Sequence, residues 1–138
     1  MITAHLCDIE DVKTVIYDDE IYDRVTDDNC PSKEYFELPE SGYISVGGYV
    51  DGIIASMFIV HDNKMHFMVL KPYREYAGKL LKESFKVYPF NVYVEIPSCY
   101  MEVINFAKNY GFEEVKITEN AHKKNGKFYS VYTLEYEV

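Results

Sequence analysis

Cysteine is scarce in this sequence, and its pattern argues against several kinds of site. The chain has only Cys7, Cys30 and Cys99, which are widely spaced and include no C-x-x-C pair. No set of Cys and His residues has the spacing of a zinc site. We therefore predict free thiols in a reducing cytoplasm, with neither a disulfide framework nor a metal.

Long hydrophobic runs and positive charge are also scarce. The longest apolar stretch, residues 53–60, is too short to span a bilayer, and the N-terminus lacks the basic and apolar segments of a secretory signal. The 14 Lys and Arg residues are outnumbered by 23 Asp and Glu, which gives a formal net charge of −9. Such a surface repels nucleic acid and anionic membranes, and it favours either a basic partner or simply solubility.

Tryptophan is absent, but other aromatic residues are abundant. The sequence has 14 Tyr and 8 Phe residues, and 48% of it is hydrophobic. Tyrosine is partly apolar and partly polar, so this surplus suits both half-buried strands and the walls of a pocket. The length of 138 residues predicts a single globular domain over residues 1–138, with a core that needs no disulfide or metal.

The N-terminal third predicts one strand, two helices and a loop. Residues 1–6 are strand-like, and Asp8 is a suitable N-cap for the helix that follows. A second short helix is expected over residues 21–25, and the polar segment 26–42 is expected to form a loop. The first helix has an apolar face formed by Ile9, Val12, Val15 and Ile16.

Turn residues then mark a run of antiparallel strands. Residues 43–50 and 53–60 are strand-like and are joined by an Asp-Gly dipeptide, which is typical of a type I′ hairpin turn. A second turn at residues 61–64 leads into a strand over residues 65–70. This part of the chain therefore predicts three consecutive antiparallel strands.

The C-terminal half predicts two helices and three strands. The expected order is a helix over residues 76–86, a strand over 91–96, a helix opened by Pro97, and strands over 114–118 and 128–136. The whole chain then reads β-α-α-β-β-β-α-β-α-β-β. Such an order contains both hairpins and crossover helices, and it predicts an α/β fold with a mixed sheet.

Two stretches carry recognisable landmarks within this order. Residues 69–81 read Val-Leu-Lys-Pro-Tyr-Arg-Glu-Tyr-Ala-Gly-Lys-Leu-Leu, in which a strand ends before Pro and an Arg-x-x-small pattern opens a helix. Residues 105–112 read Asn-Phe-Ala-Lys-Asn-Tyr-Gly-Phe, an aromatic helix ending in Gly-Phe. Order and landmarks together resemble the GNAT superfamily of N-acetyltransferases. The resemblance implies a mixed, mostly antiparallel sheet of about seven strands flanked by about four helices.

Several other segments resemble a divergent branch of that superfamily from tailed phages, some of whose members are head-assembly or internal-virion proteins. This resemblance implies a location in the host cytoplasm or on the virion, and a virion or host protein as partner. Dimerisation through the last strands is common in the superfamily, and a homodimer is compatible with this sequence. The segments are residues 25–28, 35–39, 106–108 and 123–127, together with the spacing from His66 to Arg74.

The resemblance also implies acetyl-CoA as co-substrate. The diphosphate of CoA would lie at a helix N-terminus, where Arg74 offers a guanidinium and Ala77 and Gly78 allow close approach. Lys79 stands where the superfamily usually has Gly or Ala, and it either adds a phosphate partner or blocks the site. The pantetheine arm would pair with the backbone of the preceding strand. The implied CoA-binding residues are Met68, Val69, Leu70, Arg74, Glu75, Tyr76, Ala77, Gly78 and Lys79.

Transfer of the acetyl group to an amine needs a base and an acid. The superfamily's usual acid is a tyrosine on the last helix, at the position of Ala107 here. Tyr100 is our candidate acid, with a core tyrosine as the alternative interpretation. His66 and Glu95 are our candidate bases, and each is alternatively a solvent-facing residue of a strand.

Two functions from different classes follow from these residues. The first is an acyl-CoA-dependent N-acyltransferase that moves an acetyl group to an amine, either a small molecule or a protein, by direct attack. The second is a catalytically degenerate GNAT-fold protein that serves in phage assembly or binds a host protein. Ala107 and Lys79 favour the second hypothesis, and the fold alone does not decide between the two.

Overall fold

Seven strands and four α-helices make up the fold in the computed structural model, which describes all of residues 1–138. The helices are α1 (Ile9–Ile16), α2 (Asp19–Val25), α3 (Ala77–Val87) and α4 (Met101–Asn109). The strands are β1 (Ile2–Leu6), β2 (Ile44–Val50), β3 (Ile53–His61), β4 (Lys64–Val69), β5 (Val92–Pro97), β6 (Glu113–Lys124) and β7 (Lys127–Tyr136). All lie in one mixed sheet of order β1-β2-β3-β4-β5-β7-β6, which confirms the predicted fold class.

Aspartates begin the first two helices. The Asp8 carboxylate accepts a hydrogen bond from the Asp11 N–H at 3.1 Å, and the Asp18 carboxylate accepts one from the Ile21 N–H at 3.1 Å. Each bond satisfies an N–H group that has no partner within its own helix. The N-cap predicted at Asp8 is therefore confirmed, and α2 begins two residues earlier than expected.

Left-handed turn residues connect the antiparallel strands. Both central residues have positive φ in the turns at 51–52, 62–63 and 125–126. A type I′ turn requires this conformation, because its twist matches that of the flanking strands. The predicted hairpins are confirmed.

The sixth strand is longer than the sequence predicted. We expected it over residues 114–118, whereas β6 covers Glu113–Lys124. Its pairing with β7 shifts register between Thr118 and His122, and Asn120 has a φ of 53° within this irregularity. Local polarity predicted a loop there, but cross-strand pairing with β7 continues the strand through a bulge.

The helices cover both faces of the sheet. On one face, α1 and α2 pack through an apolar cluster that includes Val12, Val15, Ile21, Met57 and Met68. On the other, α3 and α4 pack through a cluster that includes Leu81, Ile104, Phe58, Val94 and Leu134. The helices lack the combined length and hydrophobicity that crossing a membrane requires.

One neighbouring pair of strands differs from all the others. β4 and β5 are parallel and share a single residue pair, Lys64 and Tyr93. Beyond that pair the strands diverge, while β5 stays paired with β7 over its whole length on its other side. The divergence leaves an opening in the middle of the sheet.

Candidate active site

A cavity of about 590 Å³ lies where β4 and β5 diverge, and residues of both strands line it. Residues from both faces of the sheet line it, so the cavity passes between the strands. The candidate catalytic residues His66, Glu95 and Tyr100 all line this cavity. Among the candidate CoA-binding residues, Met68, Val69, Arg74 and Ala77 line it, while Leu70, Glu75, Tyr76, Gly78 and Lys79 do not.

The backbone of β4 exposes hydrogen-bonding groups to the opening. The Leu70 N–H donates to the Ala55 carbonyl at 2.9 Å, so Leu70 faces β3. Because antiparallel pairs alternate between bonded and non-bonded positions, Met68 also directs its backbone groups toward β3. Val69 and Phe67 consequently direct theirs toward β5, which has already diverged. Phe67 is not among the CoA-binding residues that the sequence resemblance implied.

Arg74 lies in the cavity, but another side chain engages it. Its guanidinium forms a two-pronged ion pair with the Glu20 carboxylate of α2, one contact measuring 3.2 Å. The Arg74 Nε also donates to the Val69 carbonyl at 3.4 Å. The hydrogen bonds from Arg74 lower the pKa of Glu20. A phosphate at Arg74 would therefore have to displace Glu20.

A 3-10 helix, Lys71–Tyr76, leads directly into α3. The Tyr73 N–H donates to the Leu70 carbonyl at 2.9 Å, and the Ala77 N–H donates to the Arg74 carbonyl. We expected an α-helix to begin near Tyr76 with free N–H groups. The tighter turn instead satisfies these two donors within the chain.

The first turn of α3 packs against a tyrosine of the last helix. A Cβ atom at Gly78 would lie 1.8 Å from the Tyr110 hydroxyl oxygen, so the absence of a side chain allows this approach. The Lys82 ammonium lies 5.6 Å from the centre of the Tyr110 ring. Lys79 is exposed outside the cavity, so its side chain does not block the opening between the strands.

His66 and Glu95 project from the face of the sheet that α1 and α2 cover. The Lys64 ammonium lies 3.2 Å from Glu95 Oε1 and so bridges β4 and β5. Desolvation by the surrounding protein lowers the pKa of His66 from 6.5, the Lys64 charge lowers it further, and Glu95 opposes the change. His66 is consequently neutral at about pH 7 and able to accept a proton.

Tyr100 ends a 3-10 turn, Ser98–Tyr100, immediately before α4. The Arg24 guanidinium lies 4.9 Å from the centre of the Tyr100 ring, and Arg24 also donates to Glu102 at 2.9 Å. Burial raises the pKa of Tyr100, so the phenol keeps its proton at neutral pH. Ala107 also lines the cavity, where it offers no group that could donate a proton.

Two further polar residues that line the cavity, Asp27 and His122, were not among the predicted site residues. Asp27 accepts hydrogen bonds from the Asn29 N–H at 2.9 Å and the Cys30 thiol at 3.5 Å, and it forms no ion pair. The His122 Nε2 is buried without a hydrogen-bond partner. No local signal marks these residues, because both lie in segments that were expected to be loops.

The side chains that could bind a metal are dispersed. No three His, Cys, Asp or Glu residues come together in an arrangement that could hold a metal ion. The three cysteines are free thiols, as predicted. Burial raises the pKa of Cys99, which therefore favours its protonated, less reactive form.

Comparisons with known proteins show similarity in structure. No protein-family model and no curated protein matches the sequence. An acetyltransferase of the GNAT family from Streptococcus pneumoniae matches with a TM-score of 0.71 and 14% identity over 100% of both chains. An N-acetyltransferase from Staphylococcus aureus Mu50 matches with a TM-score of 0.70 and 14% identity, over 99% of this chain and 97% of that one.

A third similar solved structure contains CoA. The spermidine N-acetyltransferase from Vibrio cholerae, in complex with CoA and spermine, matches with a TM-score of 0.72 and 10% identity. The match covers 97% of this chain and 94% of that one. The agreement extends over nearly the whole length of the chain. The chain therefore has the GNAT fold, as its order of elements predicted.

Proposed function

We propose that this protein is an N-acetyltransferase that moves an acetyl group from acetyl-CoA to an amine. One observation carries the proposal: a candidate base, a candidate acid and an open strand edge line the same cavity, at His66, Tyr100 and Val69. The CoA complex of a spermidine N-acetyltransferase with this fold supports a CoA thioester and an amine as the substrates.

The residues around the opening suit a CoA thioester. When bound, acetyl-CoA supplies an acetyl group activated as a thioester. The backbone groups of Phe67 and Val69 offer the amides of the pantetheine arm an open strand edge to pair with. Arg74 can contact a phosphate once Glu20 releases it, and Ala77 adds little bulk at the start of α3.

Two side chains move the protons in the proposed reaction. His66 accepts the proton that the amine nitrogen loses as its bond to the acetyl carbon forms. Tyr100 donates a proton to sulfur as the carbon–sulfur bond breaks, so the products are an amide and a free thiol. The N–H of Val69 or Phe67 is placed to stabilise negative charge on the acetyl oxygen. Glu95 favours the protonated form of His66 during transfer.

The charges of the protein favour a cationic acceptor. The net charge is −9, while the cavity lining itself contains three carboxylates, Asp27, Glu95 and Glu102, and three cations, Arg24, Lys64 and Arg74. The negative field of the whole protein attracts ammonium groups and repels nucleic acid. The acceptor is therefore a small amine or a lysine on a protein surface.

Thermal unfolding with and without acetyl-CoA tests the proposal. Ligand at 100 times its dissociation constant stabilises a protein by about 2.7 kcal/mol, which raises the melting temperature measurably. We expect Arg74→Ala to reduce this shift, because it removes the proposed phosphate contact. Lys86→Ala is the matched control, since it removes an exposed lysine that pairs with Glu83 near the other end of α3.

Product formation provides the second half of the test. A thiol reagent should detect free CoA when wild-type protein, acetyl-CoA and an amine are combined, and His66→Gln and Tyr100→Phe should slow its release. Enzymes typically have KM values between about 1 μM and 1 mM, so about 1 mM acetyl-CoA lies at the upper end of that range. The absence of a thermal shift at this concentration would remove the basis of the transferase proposal.

A second candidate function rests on two specific observations. Ala107 supplies no acid where the superfamily usually has one, and Glu20 already occupies Arg74. A GNAT-fold protein that assembles with a virion or a host protein would need neither group. That function predicts no thermal shift with acetyl-CoA and no thiol release, so the same two measurements separate it from the enzyme.

A further inference from the structure

His122 is a buried imidazole that no protein group satisfies. Its exposed fraction is 9%, its Nε2 has no hydrogen-bond partner, and its side chain lines the cavity. A buried polar atom without a partner costs free energy, and most such atoms in proteins are bonded. A ligand that supplies a hydrogen-bonding group at this point would remove the cost.

An irregularity in β6 lies directly before His122. The register against β7 shifts between Thr118 and His122, where a bulge interrupts the pairing. Ala121 and His122 both line the cavity. Bulges are frequent beside binding sites, where they change the direction of side chains.

Asp27 lies at the same end of the cavity. The residues that follow Asp27 and His122 are joined directly, because the Asp28 N–H donates to the Lys123 carbonyl at 2.9 Å. Asp27 lines the cavity and is paired with no cation. Lys124, at the end of β6, contacts Asp23 at 3.2 Å. An unpaired carboxylate and an unpartnered imidazole nitrogen therefore share this region.

We propose that Asp27 and His122 bind the non-reacting end of the acceptor, and that this end is a second amino group. An ammonium carries three N–H donors, and both a carboxylate oxygen and an unprotonated imidazole nitrogen accept hydrogen bonds. The reacting amine would lie beside His66 and Tyr100, which line the same cavity. The acceptor class is therefore a diamine. This inference rests on the proposed function, because it assigns the acceptor of the same site.

A titration of the wild-type protein followed by NMR tests the inference without CoA. The His122 ring resonance, assigned by its loss in His122→Phe, should shift saturably with alkyl diamines. Alkyl monoamines of equal length should bind at least about tenfold more weakly, because they lack the second ammonium. Equal affinities for the two series, or an unmoved His122 resonance, would overturn the inference.

Variants of the two residues provide an independent reading. His122→Phe and Asp27→Asn should each weaken diamine binding about tenfold and leave monoamine binding unchanged. His5→Phe is the matched control, because His5 lies on the distant strand β1. Its ring stacks on that of Tyr49, with 4.3 Å between the ring centres. Diamine binding that survives both substitutions at the site would contradict the inference. If His122→Phe fails to fold, the Asp27→Asn variant and the titration of the wild-type protein still test the diamine inference.

The same samples separate this inference from the proposed function. A wild-type thermal shift with acetyl-CoA, together with equal binding of diamines and monoamines, would leave the transferase standing and remove the diamine. Specific diamine binding without any thermal shift from acetyl-CoA would support the diamine site and contradict the transferase proposal.

Discussion

The Glu20 carboxylate holds the Arg74 guanidinium from the neighbouring helix α2. Their side chains are 38% and 36% exposed, so solvent screens the pair and its contribution is about 0.2–1 kcal/mol. A phosphate group carries a full negative charge and several acceptor oxygens, and can therefore compete for the same guanidinium. In the proposed CoA complex, Glu20 would therefore compete with the phosphate for Arg74 and weaken CoA binding.

We expect Glu20→Gln to bind acetyl-CoA about two- to fivefold more tightly than wild type, because the neutral amide competes less well for Arg74. Calorimetry at low salt measures the difference. Glu102→Gln is the control, since it frees Arg24 and leaves Arg74 untouched. An unchanged or lower affinity in Glu20→Gln would show that Arg74 is not a phosphate ligand.

We expect Lys64→Met to raise the pKa of His66. The substitution removes a cation that disfavours the imidazolium and frees Glu95, which favours it. In the wild type the folded-state pKa lies below 6.5, so the unfolded state binds more protons and stability falls as pH drops below that value. Histidine NMR titration measures the pKa, and a lower value in Lys64→Met would contradict this account.

At the scale of the elements, the loop after α2 and the β6–β7 turn are linked by hydrogen bonds next to Asp27 and His122. We call this hydrogen-bonded contact the joint. The N–H groups of Asn125 and Gly126 each donate to the Asp28 carboxylate at 2.9 Å. The Lys124 ammonium donates to the Thr26 carbonyl at 2.9 Å. Segments 25–28 and 123–127, which the sequence analysis selected separately by resemblance, thus contact each other.

We expect Asp28→Ala to loosen this joint. The Asn125 and Gly126 amides should exchange hydrogen faster, and the KM for the amine should rise while CoA binding is unchanged. Hydrogen bonds from Gly126 and Asn125 lower the pKa of Asp28 below 3.8, so the joint persists until the pH falls under that value. Asp62→Ala in the β3–β4 turn is the control. Unaltered exchange in Asp28→Ala would contradict the proposed joint.

The elements also show where sequence patterns predict well. The turn at 51–52 was predicted because type I′ geometry requires residues that tolerate positive φ, and this requirement is strictly local. The extension of β6 was not predicted, because pairing with β7 stabilises polar residues that would otherwise form a loop. The 3-10 turn before α3 was not predicted for a similar reason. The carbonyl to which each N–H of this turn donates depends on how β4 ends.

Across the whole molecule, the net charge of −9 should steer cationic acceptors toward the cavity. We expect kcat/KM for a cationic amine to fall steeply as salt is raised, since the screening length shrinks to about 3 Å at 1 M. Steady-state kinetics over a salt series checks this. A weakly basic aromatic amine, neutral at the assay pH, is the control, and equal salt dependence for both would exclude steering.

The sequence by itself determined the order of the elements, the hairpin turns, the first N-cap and the fold class. These features depend on local propensity and on hydrophobic periodicity. Both are determined by residues that lie close together in the chain. The landmarks near Arg74 and Gly111 also imply a CoA thioester, through their resemblance to the GNAT superfamily.

Only the tertiary structure decided which polar groups meet. It placed Glu20 on Arg74, turned the backbone of Phe67 toward the opening, and brought Asp27 beside His122. Residues far apart in the chain form each of these contacts, and the divergence of β4 and β5 and the bulge in β6 depend on the pairing of whole strands. Local patterns carry no information about such pairings, because the energy that selects them comes from contacts between distant segments.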